Sequence, residues 1–135
     1  MVDRLSVERR SALMSKVKSK DTSPEMRVRR LAHALGYRYR LHRRSLPGSP
    51  DLVFSTRRKV IFVHGCFWHR HPNCRKASMP KSRVRFWSEK FERNVQRDRE
   101  NLRALRKGGW EVLVVWECQT KDVERLEKKL RKFLG

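Results

Sequence analysis

The sequence is short of acidic residues. Only 14 aspartates and glutamates stand against 35 lysines and arginines, which gives the 135-residue chain a formal net charge of +21. A compact fold with this charge repels itself, so the composition indicates a polyanionic partner. The basic residues are spread along the whole chain, which favours a nucleic-acid-binding globular domain over a domain with a basic arm. Ribosomal proteins share this composition, so charge alone does not separate an enzyme from a structural binder.

Long apolar runs are lacking as well. No segment approaches the roughly 20 apolar residues of a membrane span, and the N-terminus, MVDRLSVERR, has no apolar region typical of a signal peptide. Three cysteines, an odd number, argue against a disulfide framework and for a reducing compartment. The sequence has no repeat, linker or low-complexity segment. We therefore expect one cytoplasmic domain, residues 1–135, with no membrane partner.

Apolar periodicity predicts the element order α-α-β-β-β-α-β-α, a mixed α/β sheet flanked by helices in two or three layers. In the second helix, Ser23 is the expected N-cap and Pro24 the first helical residue. Glu25 lies three residues before Val28 of the apolar stripe, so its carboxylate should face inward and need a partner. The predicted helices cover about residues 6–17, 23–35, 86–107 and 122–133, and the predicted strands about residues 37–42, 51–54, 60–63 and 110–116.

The segment GCFWHRHPNC suggests a metal site. Cys66, His71 and Cys74 are separated by four and two residues, a spacing that lets a short loop surround one ion. Cys118, just past the last predicted strand, is the remaining cysteine and can complete a tetrahedral Cys3His zinc site. His69 is an alternative to His71, and cysteines that bind no metal are the plainer alternative.

A second group of residues suggests hydrolytic chemistry. Asp51 opens a predicted hairpin, and the inward-facing Glu25 supplies a second carboxylate; magnesium prefers such oxygen ligands. His64 and His69 follow in one loop and can activate water or bind a phosphate. Taken singly, Asp51 can be a turn residue and Glu25 a first-turn carboxylate. Their convergence around one hairpin favours a catalytic site.

Five motifs resemble the Vsr (very short patch repair) endonuclease family: LPGSPD, IFVHGCFWH, FWSEK, NVQRDR and GWEVLVVWEC. The resemblance covers about residues 10–118, and HGCFWH followed by WEC is its most specific part. Pro50-Asp51 before a hairpin is also similar to the PD-(D/E)xK nuclease core. The resemblance implies a restriction-endonuclease-like fold with a structural zinc site. It implies a strand-specific endonuclease that nicks duplex DNA 5' of the mispaired thymine at T:G mismatches left by 5-methylcytosine deamination.

The resemblance also implies roles for single residues. Asp51 would bind Mg²⁺ together with the backbone carbonyl of Val63, where the family is expected to have threonine. His69 would be the general base, oriented by Asp98, and histidine replaces the usual lysine of the PD-(D/E)xK motif. His64 and Glu25 would complete the catalytic site, and the Zn²⁺ ligands would be Cys66, His71, Cys74 and Cys118, with one residue inserted between the second and third.

Recognition of the mismatch is assigned in the same way. Phe67, Trp68 and Trp87 would wedge between base pairs, and Lys90 and Asn94 would contact the T:G wobble. Without the resemblance, core packing is the plainer interpretation of Trp87 and Met14, and a solvated charge that of Lys90. An N-terminal helix within residues 1–20 would contact DNA, with Met14 entering from the opposite groove. The implied partners are double-stranded DNA with a T:G mismatch and a MutL-type mismatch-repair protein, for a monomeric, nucleoid-associated bacterial enzyme.

Two alternatives compete with this interpretation. A non-catalytic zinc-containing nucleic-acid-binding protein would explain the charge and the cysteines, but not the convergence of Glu25, Asp51, His64 and His69. A PD-(D/E)xK nuclease with another target would explain the site. Cleavage of T:G duplex compared with fully paired duplex separates it from the proposed enzyme.

Overall fold

The computed structural model describes residues 21–135. Its elements are α1 (Ser23–Ala34), β1 (Arg40–Leu41), β2 (Leu52–Phe54), β3 (Lys59–His64), α2 (Val84–Lys107), β4 (Glu111–Trp116) and α3 (Val123–Leu134). Short 3-10 helices occupy Arg75–Ala77 and Glu117–Lys121. The predicted mixed α/β class and element order are confirmed over this range. The first predicted helix, with Met14, lies outside the described residues.

One mixed sheet of four strands forms the centre, in the order β1-β2-β3-β4. The first three strands pair antiparallel, and β3 pairs parallel with β4. Parallel neighbours need a long crossover, which α2 supplies. The register aligns β3 and β4 from Lys59↔Glu111 to His64↔Trp116, so both strands end together. The loop after His64 and the residues after Trp116 therefore meet at one edge of the sheet.

The sheet is covered by helices on both faces, which makes the fold three-layered. Alternation along β3 sends Ile61 to one face, where it packs in a core with residues of α1 and α3. Val60 and Phe62 point to the other face and pack with Leu105 of α2. His64 continues the Phe62 series, which directs its ring to the α2 face. Among residues 21–135, no helix is long and apolar enough to cross a bilayer.

Two sequence predictions about local structure are wrong. The N-cap of α1 is Thr22, whose backbone is extended and whose hydroxyl accepts a hydrogen bond from the Glu25 amide at 3.3 Å; Ser23 is already helical. The expected strand over residues 37–42 pairs only at Arg40–Leu41. Tyr37 instead closes the end of α1 through its amide, which donates to the Ala32 carbonyl.

Candidate active site

The first group at the site is centred on Asp51, at the start of β2. Its Oδ2 accepts a hydrogen bond from the Val63 amide at 2.7 Å, which ties the carboxylate to the end of the neighbouring strand. The pKa of Asp51 is raised to about 7, chiefly because the carboxyl is buried. The nearby charge of Glu25 also raises this pKa, whereas the hydrogen bond from the Val63 amide lowers it. Two carboxylates in one buried place disfavour each other's charge, and a bound cation would relieve that repulsion.

Glu25 lies on the inner side of α1, as its position in the apolar stripe predicts, and it is only 1% exposed. Its Oε1 accepts from the Asp21 amide at 3.1 Å. Its Oε2 lies 2.8 Å from His42 Nε2 and 3.4 Å from Arg29 Nη1. His42 Nε2 is also 4.0 Å from Asp51 Oδ1, so one imidazole nitrogen lies near both carboxylates. The structure thus brings together Glu25 and Asp51, which are 26 positions apart in the sequence.

Sequence reasoning missed His42. It alternates with the tyrosines of a half-buried segment, a pattern that predicts a solvent-facing side chain. Its contact with Glu25 joins residues from two elements, and no local pattern encodes such a contact.

A histidine pair forms the second part of the site. The rings of His64 and His69 stack with centroids 3.8 Å apart and planes inclined by 6°. His69 Nδ1 lies 2.7 Å from Asp98 Oδ2 on the inner side of α2, the contact that the sequence analysis expected. Burial, together with the adjacent His69, lowers the pKa of His64 to about 4. When Asp98 is ionised it only accepts hydrogen bonds, so a neutral His69 ring carries its proton on Nδ1 and keeps a lone pair on Nε2.

A cysteine–histidine cluster lies where β3 and β4 end. The potential ligand atoms of Cys66, His71, Cys74 and Cys118 all lie within 4.8 Å of one another. His71 Nδ1 is 3.6 Å from Cys66 Sγ and 3.4 Å from Cys118 Sγ, and its ring stacks on Trp116. Burial raises the pKa of the Cys66 thiol to about 12, a shift that a bound cation would reverse. Three sulfurs and one imidazole nitrogen in this arrangement fit a tetrahedral metal site.

The geometry also distinguishes His71 from His69, which spacing alone left open. His71 faces the cysteines, whereas His69 is held against Asp98 on α2. Two alternate residues of one loop therefore point to different sites. The loop that carries His69 and His71 therefore contributes a residue to each of the two sites.

The aromatic side chains of this loop are packed more closely than its polar composition suggested. Phe67 and Trp68 meet edge to face with centroids 5.3 Å apart, and both contact Trp87 and Phe91 of α2. Trp87 is 1% exposed and lies beneath the pair. Phe67 and Trp68 are only half-buried. Trp87 therefore supports the two half-buried aromatic residues, Phe67 and Trp68, from below.

Three polar side chains hold the aromatic cluster. Lys90 Nζ lies 5.1 Å from the Trp68 ring centroid, and Asn94 Nδ2 donates to the Trp68 carbonyl at 3.3 Å. Arg70, which sequence reasoning missed, donates to the carbonyls of Phe67 and Ser78, both at 3.2 Å, and its guanidinium lies 4.0 Å from the Phe91 centroid. These contacts hold the loop that carries Phe67, Trp68 and Arg70 against α2.

A cleft of about 1300 Å³ joins the parts of the site. Its walls include both carboxylates, both stacked histidines, Asp98, and the recognition candidates Phe67, Trp68, Lys90 and Asn94. Arg44 and Arg97 also line it, in keeping with a polyanionic ligand. A carboxylate pair, an oriented imidazole and surface aromatics in one basic cleft define a hydrolytic enzyme that acts on nucleic acid.

Comparison with known proteins identifies the family. The profile described as DNA mismatch endonuclease Vsr matches residues 2–76. The chain is 55% identical over 134 residues to the type II nicking enzyme V.XorIIP of Xanthomonas oryzae pv. oryzae, covering 99% of this chain and 98% of the relative. The chain belongs to the Vsr family of DNA mismatch endonucleases, and the resemblance seen in the sequence is confirmed.

Two further relatives support the assignment. The type II nicking enzyme V.NmeAIP of Neisseria meningitidis is 42% identical over 137 residues, covering 98% of this chain and 97% of the relative. The DNA mismatch endonuclease Vsr of Escherichia coli is 44% identical over 117 residues, covering 87% of this chain and 74% of the relative. Family membership makes the protein a DNA endonuclease of mismatch repair, which disfavours the non-catalytic alternative.

Proposed function

We propose that the protein is a strand-specific endonuclease that nicks duplex DNA 5' of the mispaired thymine at T:G mismatches. Such mismatches arise when 5-methylcytosine is deaminated, and the nick starts very short patch repair. The observation that carries the proposal is one cleft lined by the Glu25–Asp51 pair, the His69–Asp98 pair and the half-buried Trp68. The relatives are likewise named as a nicking enzyme and a mismatch endonuclease.

The proposed magnesium site binds the ion through Asp51 and the backbone carbonyl of Val63, and the carboxylate of Glu25 completes it. Its donor set fits the ion, because Mg²⁺ binds hard oxygen ligands and the two carboxylates are buried close together. When bound, Mg²⁺ supplies charge stabilisation for the phosphate and the leaving oxygen. The chain's own contribution is to hold the two carboxylates, which the Val63 amide and the donors around Glu25 accomplish.

His69 is the proposed general base. The hydrogen bond from Nδ1 to Asp98 leaves Nε2 to accept a proton from the attacking water. The buried His64 stacks on the same ring, and the low pKa of its imidazole favours the neutral form near neutral pH. His64 therefore adds no positive charge that would disfavour proton transfer to its neighbour.

The proposed zinc site is structural. Cys66, His71, Cys74 and Cys118 are the ligands, and they join the loop after β3 to the segment after β4. The same loop carries Phe67, Trp68 and His69, so the zinc site would fix the position of both the wedge and the base.

Recognition of the mismatch is proposed for the aromatic cluster and its neighbours. The rings of Phe67 and Trp68 insert at the mismatched step, supported by the buried Trp87. A mismatch lowers the cost of unstacking, which accounts for selectivity. Lys90 and Asn94 contact the wobble pair once Trp68 has moved into the DNA. Met14, on an N-terminal DNA-contacting helix within residues 1–20, contacts the opposite groove.

We propose a single domain over residues 1–135 that acts as a monomer in the bacterial cytoplasm, near the nucleoid, with a MutL-type protein as a further partner. The test of the activity is an end-labelled duplex assay with three substrates: a T:G duplex, the matched T:A duplex and the matched C:G duplex. Mg²⁺ should support a nick 5' of the thymine in the T:G strand, and EDTA should abolish it. Equal cleavage of all three duplexes would indicate a nuclease with another target.

A further inference from the structure

His42 has an unusual backbone for its place in the sheet. It follows β1 and lies opposite Asp51 at the end of the β1–β2 pair, where its amide donates to the Asp51 carbonyl at 3.2 Å. Its φ is +46°, in the left-handed region that residues other than glycine rarely adopt. Such conformations persist where surrounding contacts hold them, and they cluster at functional sites.

The ring of His42 is directed at the buried carboxylate of Glu25. Its Nε2 lies 2.8 Å from Glu25 Oε2 and 4.0 Å from Asp51 Oδ1. The side chain of Glu25 is only 2% exposed, so water cannot replace this contact freely. A carboxylate that binds a cation is ionised and only accepts hydrogen bonds, so Nε2 is the donor.

Among residues 21–135, the other donors to Glu25 do not duplicate this contact. Arg29 Nη1 is 3.4 Å from Glu25 Oε2, but its closer partner is Asp21 Oδ1 at 2.6 Å. The Asp21 amide holds the other oxygen, Oε1. His42 therefore makes the shorter of these two side-chain contacts to Glu25 Oε2.

We propose that His42 is a positioning residue that holds the Glu25 carboxylate toward Asp51 and thereby sets the affinity of the metal site. The inference rests on the proposed magnesium site. Residues that orient a metal-binding carboxylate commonly change metal affinity or activity by roughly 10-fold to 100-fold when they are replaced. The same side chain connects the residue after β1 to Glu25 of α1 and lies 4.0 Å from Asp51, the residue before β2.

A pair of amide variants separates positioning from a purely structural role. In His42→Gln, the amide nitrogen can occupy the position of Nε2 and still donate to Glu25. In His42→Asn, the side chain is one methylene shorter and cannot reach, although asparagine tolerates a left-handed backbone better. If His42 has a purely structural role, His42→Asn should be the milder change. If His42 positions Glu25, His42→Gln should be the milder change.

The measurement is Mn²⁺ binding, followed by electron paramagnetic resonance on the full chain with nicked T:G duplex. The Mg²⁺ concentration that half-saturates single-turnover nicking is measured in parallel, and melting temperatures are measured without divalent cation. For His42→Asn we expect both half-saturating concentrations to rise by roughly 10-fold to 100-fold, with His42→Gln closer to the wild type. His33→Asn, at an exposed histidine of α1, is the matched control and should match the wild type.

The outcomes separate this inference from the proposed function. Asp51→Ala should lose the Mn²⁺ signal, which locates the ion at this site. If that holds and His42→Asn binds Mn²⁺ as tightly as the wild type or His42→Gln, the positioning role is overturned and the proposed function stands. If the wild type neither binds Mn²⁺ nor needs a divalent cation to nick, both the positioning role of His42 and the proposed magnesium-dependent function are overturned. If the melting temperatures of the His42 variants fall in the same order as their Mn²⁺ affinities, lost stability explains the weaker binding, and the positioning role is likewise overturned.

Discussion

Replacing Asp98 with asparagine tests how the proposed base is held. Asp98 Oδ2 lies 2.7 Å from His69 Nδ1, and Asp98→Asn preserves the shape of that contact. The amide of asparagine can donate to Nδ1, however, which moves the ring proton to Nε2 and removes the lone pair that should accept the proton of water. The imidazole would stay in place with the wrong nitrogen protonated.

The expected magnitudes differ for catalysis and stability. A positioned general base contributes roughly 10²-fold to 10⁴-fold in rate, or about 3 to 5 kcal/mol of activation free energy at about 1.4 kcal/mol per tenfold. The His69 and Asp98 side chains are 32% and 21% exposed, so solvent screens their attraction. We therefore expect the free energy of unfolding to fall by no more than about 1 kcal/mol. The variant should nick far more slowly while it folds and binds DNA nearly as well as the wild type.

The assay is single-turnover nicking of a T:G duplex at saturating enzyme, with thermal unfolding and duplex binding measured beside it. Glu100→Gln removes one negative charge from the exposed side of the same helix and serves as the control. His69→Ala and the double variant complete a thermodynamic cycle. If Asp98 acts through His69, Asp98→Asn should cost almost nothing in the His69→Ala background. An equal loss in both backgrounds would refute the reasoning and give Asp98 an independent role.

Three further predictions concern the metal sites and the wedge. Asp51→Ala should abolish nicking but leave T:G duplex binding largely intact in a gel-shift assay, and nicking near the wild-type rate would remove Asp51 from the site. Purified protein should hold about one zinc per chain, and Cys118→Ser should lower the free energy of unfolding by several kcal/mol; full stability without metal would contradict the zinc site. Trp68→Ala should weaken T:G binding by roughly 1–3 kcal/mol and reduce the preference for T:G over T:A, whereas equal losses for both duplexes would make Trp68 a packing residue.

The sequence could predict the features of this protein that motifs and periodic patterns encode. Apolar alternation located β3 and β4, and the spacing of apolar residues along the helices located α1, α2 and α3, because these patterns repeat within a few neighbouring residues. The same periodicity placed Glu25 and Asp98 on inner helix faces. Helix boundaries were less certain: Thr22 and Ser23 can both cap a helix, and the backbone conformation decides between them.

Contacts between distant segments needed the tertiary structure. The pattern of the loop after β3 could not tell whether His69 or His71 faces the cysteines, because the answer depends on where Asp98 and Cys118 are brought by α2 and β4. The half-burial of Phe67 and Trp68 depends in the same way on the aromatic side of α2.

His42 shows the difference most clearly. Its sequence neighbours predict a solvent-facing side chain, yet the end of β1 lies opposite Asp51 and turns the ring toward Glu25. The sequence by itself determined the family, the order of the elements and most of the candidate site residues, since each is encoded in local spacing. The tertiary structure alone decided which of these residues meet, because a buried carboxylate takes the donor that folding brings within hydrogen-bonding distance, whatever its position in the chain.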